Sequence, residues 1–447
     1  RNLIEELDLG SIYGLKKRRS IHEKRLDPAL KAKLNDDTYK NYNGVAQQLA
    51  VRLALLDKQK STMIINLPTG CGKTLVAQAI SLYAAPRELT LVIVPTTALA
   101  IEQGKRASAL FEKAGQCHRS LYHWHGNQTV EQHNDIKDRI SQGNQKMLFC
   151  SPEAVCRSLL PILFKAAKEG SLGNIVIDEA HIVEQWGADF RLGFQILSSL
   201  VTALRKASPS GIRCILMSAT FTDKSLDLLE QLYAEDNQEC IYVSGNFLRP
   251  EIQYSVIKTS PEEHQHDEMV IKAVVALPKP MIIYTVLKDH ADRLYRKIKN
   301  TGIERISVFT GGTNATDRTI ILDQWKENSL DIVVANSAFG LGMDKPDVRS
   351  VIHAAVPENL DRFYQDAGRG GRDGLSCQSL LVYHENQFKV SKKFNTPKLI
   401  TPQLGWEKWQ VMWSHGERLP DGKRKLNVST IRPDQYLSTE GSEDWNW

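Results

Sequence analysis

Met63-Ile-Ile-Asn-Leu-Pro-Thr-Gly-Cys-Gly-Lys-Thr74 decides how this chain folds. An apolar run of strand length ends in a turn with two glycines, and the turn ends on a lysine and a threonine. Thr69, Gly70, Cys71 and Gly72 make a turn whose backbone N–H groups can point inward around a phosphate. A helix predicted from about Thr74 adds the partial positive charge of its N-terminus at the same place. Lys73 can reach the β- and γ-phosphates of a nucleotide, and the Thr74 hydroxyl can ligate Mg²⁺. The stretch departs from the general pattern G-x-x-x-x-G-K-[ST] in one respect, because Leu67 stands where the first glycine belongs. A strand, a turn and a helix with a merely exposed lysine is the plainer alternative.

A second stretch, Asn174-Ile-Val-Ile-Asp-Glu-Ala-His181, puts an acidic pair at the C-terminal end of another buried run. That is the edge at which open parallel sheets bind ligands. Asp178 is then expected to hold Mg²⁺, and Glu179 to polarise an attacking water as general base. Either carboxylate alone reads equally as a loop acid. The pair takes its meaning from Gly70–Thr74.

Outward from these stretches, short β-rich runs alternate with helix-like segments. The runs are 63–66, 90–94, 147–150, 174–177 and 213–217, then 281–284, 305–309, 331–335, 350–353 and 379–383. Continuous apolar runs bounded by helices mark parallel strands covered on both faces. The expected fold class is therefore α/β, with two parallel-sheet domains in tandem and short extensions. The expected limits are a basic N-terminal extension over 1–41, a first, nucleotide-binding domain over 42–243, a second domain over 244–396 and a Trp-rich C-terminal extension over 397–447. Gly245, Asn246 and Pro250 suit a linker at the join.

The chain has 447 residues, enough for two large domains with extensions. Hydrophobic residues make up 42% and charged residues 24%, which excludes fibrous and fully disordered chains. No apolar run approaches the ~20 residues that span a bilayer, and no signal-peptide pattern opens the chain. The seven cysteines are scattered and form no C-x-x-C pair, which fits a reducing compartment rather than a disulfide framework. The net charge of +5 is local: residues 15–33 hold eight Lys or Arg against Glu23 and Asp27, so the rest is close to neutral. That segment reads as a solvated helix face or as a nucleic-acid contact. Trp406, Trp409 and Trp413 recur at helical spacing in a tail with five of the eight tryptophans. They read as a face packed on the second domain, with base stacking as the sharper alternative. A chain that opens on Arg1 and closes on Trp447 reads as part of a longer protein.

Asp178-Glu-Ala-His181 resembles the second motif of superfamily 2 helicases, and the family's other motifs follow in order. Val94-Pro-Thr-Thr-Ala-Leu99 resembles motif Ia, Ser151-Pro-Glu153 motif Ib, Ser218-Ala-Thr220 motif III and Ile282-Ile-Tyr-Thr285 motif IV. Ile332 to Asp344 looks like motif V, and Gln365-Asp-Ala-Gly-Arg-Gly-Gly-Arg-Asp-Gly374 like motif VI. Within the superfamily the chain is most similar to RecQ-type DNA helicases. Glu184-Gln-Trp-Gly-Ala-Asp-Phe-Arg191 resembles their aromatic-rich loop. The continuation of motif V through Asp344-Lys-Pro-Asp-Val-Arg-Ser-Val-Ile-His353 and the G-R-x-G-R-D-G ending of motif VI have the RecQ form. The chain departs from that family after motif VI, where Cys377 is its only cysteine. The four-Cys zinc module is missing, no winged helix is visible, and no zinc is expected. Thr310 stands where the family often has His.

The resemblance implies two RecA-like domains around a cleft for ATP and Mg²⁺. Gln47 is implied as reader of the adenine edge, with Gln48 as the alternative. Arg372 is implied as the arginine finger, with Arg369 near the same phosphate. Gln365 would position water or couple the domains, and Asp344 would contact the ribose or sense the nucleotide. Trp186, Phe190 and Arg191 would stack on bases and report DNA to Glu179, or Trp186 would simply close a core. Pro95, Thr96, Thr97, Thr310 and Gly311 would meet strand phosphates without reading sequence. The implied activity is that of an ATP-dependent 3′–5′ DNA helicase or translocase on single-stranded DNA or DNA with single-stranded tails. The implied location is the bacterial cytoplasm or another compartment inside the cell that holds DNA. The alternative is a non-unwinding translocase, or an ATP-switch subunit of a larger DNA-modification or defence complex with protein partners on the C-terminal extension.

Overall fold

The computed structural model describes residues 24–58, 60–115, 121–184, 192–234, 240–245, 247–336, 339 and 345–395, and positions 406, 409, 410, 413, 414, 416–419, 424 and 425. Trp186, Phe190, Arg191 and Asp344 lie outside the described residues. Twelve strands build two six-stranded parallel sheets. The first holds β1 (Thr62–Asn66), β2 (Leu89–Ile93), β3 (Met147–Cys150), β4 (Leu172–Asp178), β5 (Arg213–Ser218) and β6 (Ile241–Ser244), in the order β3-β2-β4-β5-β1-β6. The second holds β7 (Ile252–Lys258), β8 (Met281–Tyr284), β9 (Ile306–Phe309), β10 (Ile332–Ala335), β11 (Ser350–His353) and β12 (Cys377–Tyr383), in the order β7-β12-β11-β8-β10-β9.

The strand period of two separates each sheet's residues onto two cores. Met63 and Ile65 of β1, with Ile215 and Met217 of β5, enter one cluster. Ile64, Cys214 and Leu216, the residues between them, enter the cluster on the opposite face. The second sheet divides in the same way, with Met281, Ile283, Ile332 and Val334 on one side and Ile282, Tyr284, Val333 and Ala335 on the other. Helices cover all four faces, which is why the central strands are apolar without alternation.

Ten strands fall on the runs read from the sequence; β6 and β7 do not. Both are sheet edges with partly exposed side chains, so neither carries the continuous apolar run that marks a covered strand. The described part of the basic N-terminal segment adds Leu26, Leu30 and Leu34 to the first domain's core, and Lys33 Nζ donates to Leu82 O at 2.9 Å. The tryptophan stripe is not a packed face. Trp406, Trp409 and Trp413 are 60%, 43% and 47% exposed, and Trp409 stacks on Trp413 at 5.7 Å between ring centroids. No helix among the described residues is long and apolar enough to cross a membrane.

The second domain is pinned by a buried carboxylate. Asp267 is fully buried and takes His290 Nε2 at 3.2 Å, Arg293 Nε at 3.0 Å and Lys297 Nζ at 2.8 Å. The set His266, Asp267 and His290 has a metal-like composition, but two cations already occupy the second carboxylate oxygen, so the cluster is an ion-pair network. Burial pushes Asp267 upward, and hydrogen bonds from His266, His290, Lys297 and Arg293 outweigh it and hold the carboxyl far below its usual range. The sign follows: this stability is complete above the unfolded-state value and is lost as pH falls through the depressed one. Asp267→Asn should cost about 3 kcal/mol in urea unfolding at pH 7, the low end for breaking a buried pair, because Arg293 and Lys297 keep partial solvent contact. A loss near zero would mean that the network contributes nothing.

Candidate active site

The ends of β1, β4 and β5 meet one loop of the second domain. β1 delivers the phosphate loop, whose left-handed positions are Gly70 (φ 75°) and Gly72 (φ 77°). Leu67 is not among the positive-φ residues. It is 1% exposed, and its N–H bonds Ser218 O at 3.0 Å. A large apolar residue therefore fits the position where the pattern has glycine. A Cβ on Gly72 would collide with the Gln47 amide, so glycine is needed there for space as well as for backbone angle. The helix Thr74–Tyr83 begins directly after Lys73 and buries every residue from Leu75 to Leu82, which fixes the loop rigidly to the core. Lys73 Nζ lies 3.4 Å from Leu67 O.

Of the two neighbouring glutamines, Gln47 reaches the phosphate loop. Its Nε2 donates to Gly72 O at 2.8 Å and its Oε1 accepts from Asn43 N at 2.6 Å. Each side of the amide is thus engaged once within the protein, which leaves one N–H and one lone pair for an adenine edge.

Asp178 ends β4 and Glu179 follows in the left-handed region (φ 53°). A non-glycine residue held there stores about 1–3 kcal/mol. Burial and the neighbouring Glu179 charge push Asp178 up, against the opposing pull of Lys73. Burial also pushes Glu179 up, but Lys73, His181, Arg369 and Arg372 outweigh it, so Glu179 stays below its usual range. Lys73 alone acts as a cation on Asp178, whereas Arg369 and Arg372 join it at Glu179. A divalent cation at Asp178 would supply what burial removes. The donor set of Asp178 and the Thr74 hydroxyl is oxygen-only, which suits Mg²⁺, and the glycine cradle with Lys73 suits a triphosphate.

The second domain closes the site. Gln365 Nε2 lies 3.1 Å from His181 Nε2, and His181 Nδ1 lies 2.8 Å from Ser218 Oγ. In the neutral tautomer that accepts from the Gln365 amide, His181 carries its proton on Nδ1 and donates to Ser218, whose hydroxyl reaches Thr220 O at 2.9 Å. His181 then adds no charge beside Glu179, and Lys73, Arg369 and Arg372 are the cations there. One relay thus connects both domains through the stretch that carries Glu179. Thr69 Oγ1 donates to Gly368 O at 3.3 Å, and a Cβ on Gly70 would lie 3.4 Å from Arg372 Cγ. Glu179 Oε2 is buried without a hydrogen-bond partner, with His181 Nδ1 at 3.4 Å. It is an acceptor placed among cations.

The expected nucleic-acid contacts divide. Thr96 caps the helix Thr97–Lys113 by accepting from Leu99 N at 3.3 Å; Thr97 is exposed and Pro95 is buried. Thr310 is 3% exposed and borders an open cleft. Its N–H is tied to Thr313 Oγ1 at 3.0 Å, and Gly311 and Gly312 form the exposed surface instead. An open cleft of about 520 Å³ beside them is lined by Lys288, Asp292, Gly312, Thr313 and Asn314. Sequence reasoning missed the bridging role of His181 and gave no role to Arg249, which lies at the join read as a linker. Its only sequence signal is a charge among apolar and proline neighbours.

The DEAD/DEAH box helicase family matches residues 45–229, and the helicase conserved C-terminal domain matches residues 265–374. The ATP-dependent DNA helicase RecQ of Haemophilus influenzae is 29% identical over 341 residues, 76% of this chain and 51% of that protein. The ATP-dependent DNA helicase Q1 of Mus musculus is 27% identical over 372 residues, 82% of this chain and 54% of that protein. The chain thus spans about half the length of these curated relatives. A crystal structure of the DUF1998 helicase MrfA bound to DNA matches at a TM-score of 0.66 and 19% identity, covering 86% of this chain and 56% of that one. Dbp5 of S. cerevisiae bound to RNA and ADP BeF3 matches at 0.59 and 16%, covering 84% and 93%. These structural likenesses give the fold: two tandem RecA-like domains. With both helicase modules matched in order around one closed cleft, and with RecQ and Q1 proteins among its relatives, the chain belongs to the RecQ-like DEAD/DEAH box helicases of superfamily 2.

Proposed function

We propose that this chain is the motor of an ATP-dependent 3′–5′ DNA helicase or translocase that moves on single-stranded DNA. The observation that carries the reading is the inter-domain relay Gln365–His181–Ser218 beside Glu179, with Arg369 and Arg372 acting on the same carboxylate. ATP with Mg²⁺ supplies the phosphoanhydride whose cleavage drives the cycle. The backbone of Thr69–Gly72 and Lys73 hold the phosphates, and Thr74 and Asp178 hold the metal. Glu179, kept ionised by the cations around it, orients and deprotonates water. Arg372, with Arg369, stabilises the charge that develops on the transferring group. Gln365 and Thr69 register closure, because both bond across the cleft.

Movement follows if closure and opening change the grip of the two domains on one strand. Thr97 in the first domain and Gly311 in the second are exposed for such contacts. Trp186, Phe190 and Arg191 belong to this proposal as base-stacking residues, Asp344 as a nucleotide contact, and the 3′–5′ direction as the polarity of RecQ-type motors. The domain limits 42–243 and 244–396 are proposed with it.

The test is ATP hydrolysis by this chain without nucleic acid and with single-stranded DNA, duplex DNA or single-stranded RNA, at two salt concentrations. Stimulation chiefly by single-stranded DNA is expected, weakening with salt as phosphate contacts require. Equal stimulation by RNA would overturn the DNA assignment. Stimulated hydrolysis without strand displacement on a forked duplex would leave a non-unwinding translocase.

A further inference from the structure

Arg249 lies in the connection between β6 and β7, the chain's crossing from one sheet to the other. It is 1% exposed, among the largest fully buried side chains of the described residues. Its Nε donates to Glu251 Oε1 at 2.7 Å, a pair with both side chains fully buried. Its Nη1 donates to Gly368 O at 2.6 Å, and its Nη2 to Gly370 O at 2.8 Å and Gly371 O at 2.6 Å. Four of the five guanidinium N–H groups are accounted for, three of them on the loop that carries Arg369 and Arg372.

The loop therefore wraps a cation with its carbonyl oxygens. Gly371, held at its carbonyl by Arg249, directly precedes Arg372, and its left-handed φ of 57° lets the chain turn there. The same guanidinium borders the phosphate loop: a Cβ on Gly70 would lie 3.5 Å from Arg249 Nη1 and 3.4 Å from Arg372 Cγ. Two further bonds tie the connection to this region. Tyr364 Oη donates to Phe247 O at 3.3 Å, and Cys377 N donates to Glu251 O at 2.9 Å.

We infer that Arg249 is the positioning residue of the arginine-finger loop: it holds the Gly368–Gly371 carbonyls so that Arg372 meets the phosphate site when the cleft closes. The inference rests on the proposed ATPase reading of that site and adds to it a residue from the inter-domain connection. Because Arg249 belongs to this connection, any shift of one domain against the other is transmitted to the finger loop through one rigid, planar fork. A lysine would keep the charge for Glu251 but could not span three carbonyls.

The experiment compares Arg249→Lys, Arg372→Ala and the double variant in the whole chain. The readouts are steady-state ATP hydrolysis with a single-stranded oligonucleotide, binding of a fluorescent non-hydrolysable ATP analogue, and the melting midpoint. Arg249→Lys is expected to lower kcat by ~10²-fold, the scale of a misplaced catalytic group, with analogue affinity unchanged and a melting midpoint that, though lowered by the carbonyls left unpaired, stays well above the assay temperature. The double variant is expected to be no slower than Arg372→Ala, since both changes act on one group. Unchanged kcat, a lowered melting midpoint with kcat intact, or multiplying effects would each overturn the inference. If Arg249→Lys fails to fold, the charge-balanced pair Arg249→Gln with Glu251→Gln replaces it, with the same kcat loss expected and wild-type kcat overturning. If Arg372→Ala alone leaves kcat unchanged, the finger reading itself fails, whatever Arg249→Lys does.

Discussion

Arg372→Ala should lower ATP turnover by about 10³–10⁵-fold, the range of an arginine finger. Its Cγ lies against the phosphate loop at Gly70, and its charge helps to hold Glu179 below the ordinary carboxylate range. In the proposed reading a cation so placed would face the transferring phosphoryl group across the cleft, and a half-buried position screens it less than open water would. Truncation removes that charge without adding bulk beside Gly70, so analogue binding should survive. Phosphate release under single-turnover conditions, set against analogue binding, separates the two. Turnover near wild type would remove Arg372 from this role, and a comparable loss in Arg369→Ala alone would move the finger there.

Glu179→Gln should retain nucleotide binding and lose about 10²–10⁴-fold in turnover, the usual contribution of a general base. Glutamine keeps the size and one acceptor oxygen but cannot take a proton. The left-handed backbone at Glu179 and its buried Oε2 indicate a side chain held in place for chemistry rather than for packing. The pH dependence has a definite sign. In the proposed role Glu179 acts ionised, and its value lies below the ordinary range, so protonation of Glu179 itself should not lower turnover until below ~4.3, the ordinary glutamate value. A fall near pH 6 would instead report Asp178, which burial pushes up to about 6. A rate that already falls between pH 7 and 6 in step with Glu179 protonation would contradict the cation-rich environment described above.

Much of this was readable before any fold. The glycine–lysine turn and the acidic pair each carry their chemistry within a few consecutive residues. The covered strands declare themselves because a strand buried on both faces has no room for polar alternation. Two of the four edge strands were silent for the complementary reason: β6 and β7 meet solvent, so their composition is mixed, whereas the edge strand β3 is buried throughout and was legible. Thr310 and the tryptophans show a different gap. A hydroxyl or an indole has the same letter whether its residue is buried, as Thr310 is, or exposed, as Trp406, Trp409 and Trp413 are.

Ten of the twelve strands of the two parallel sheets and the family were legible in the chain alone, as were the glycine–lysine turn and the paired acids as candidates, because each is written in local spacing or in an ordered series of short motifs. The tertiary structure alone decided which residues meet across the cleft. Gln365 and His181 are 184 positions apart, Thr69 and Gly368 are 299 apart, and Arg249 finds its carbonyls 119 to 122 residues downstream. Such contacts leave no periodicity in the chain. They arise when two sheets, each complete in its own core, bring the ends of their strands together, and buried polar groups must then find partners wherever the fold supplies them.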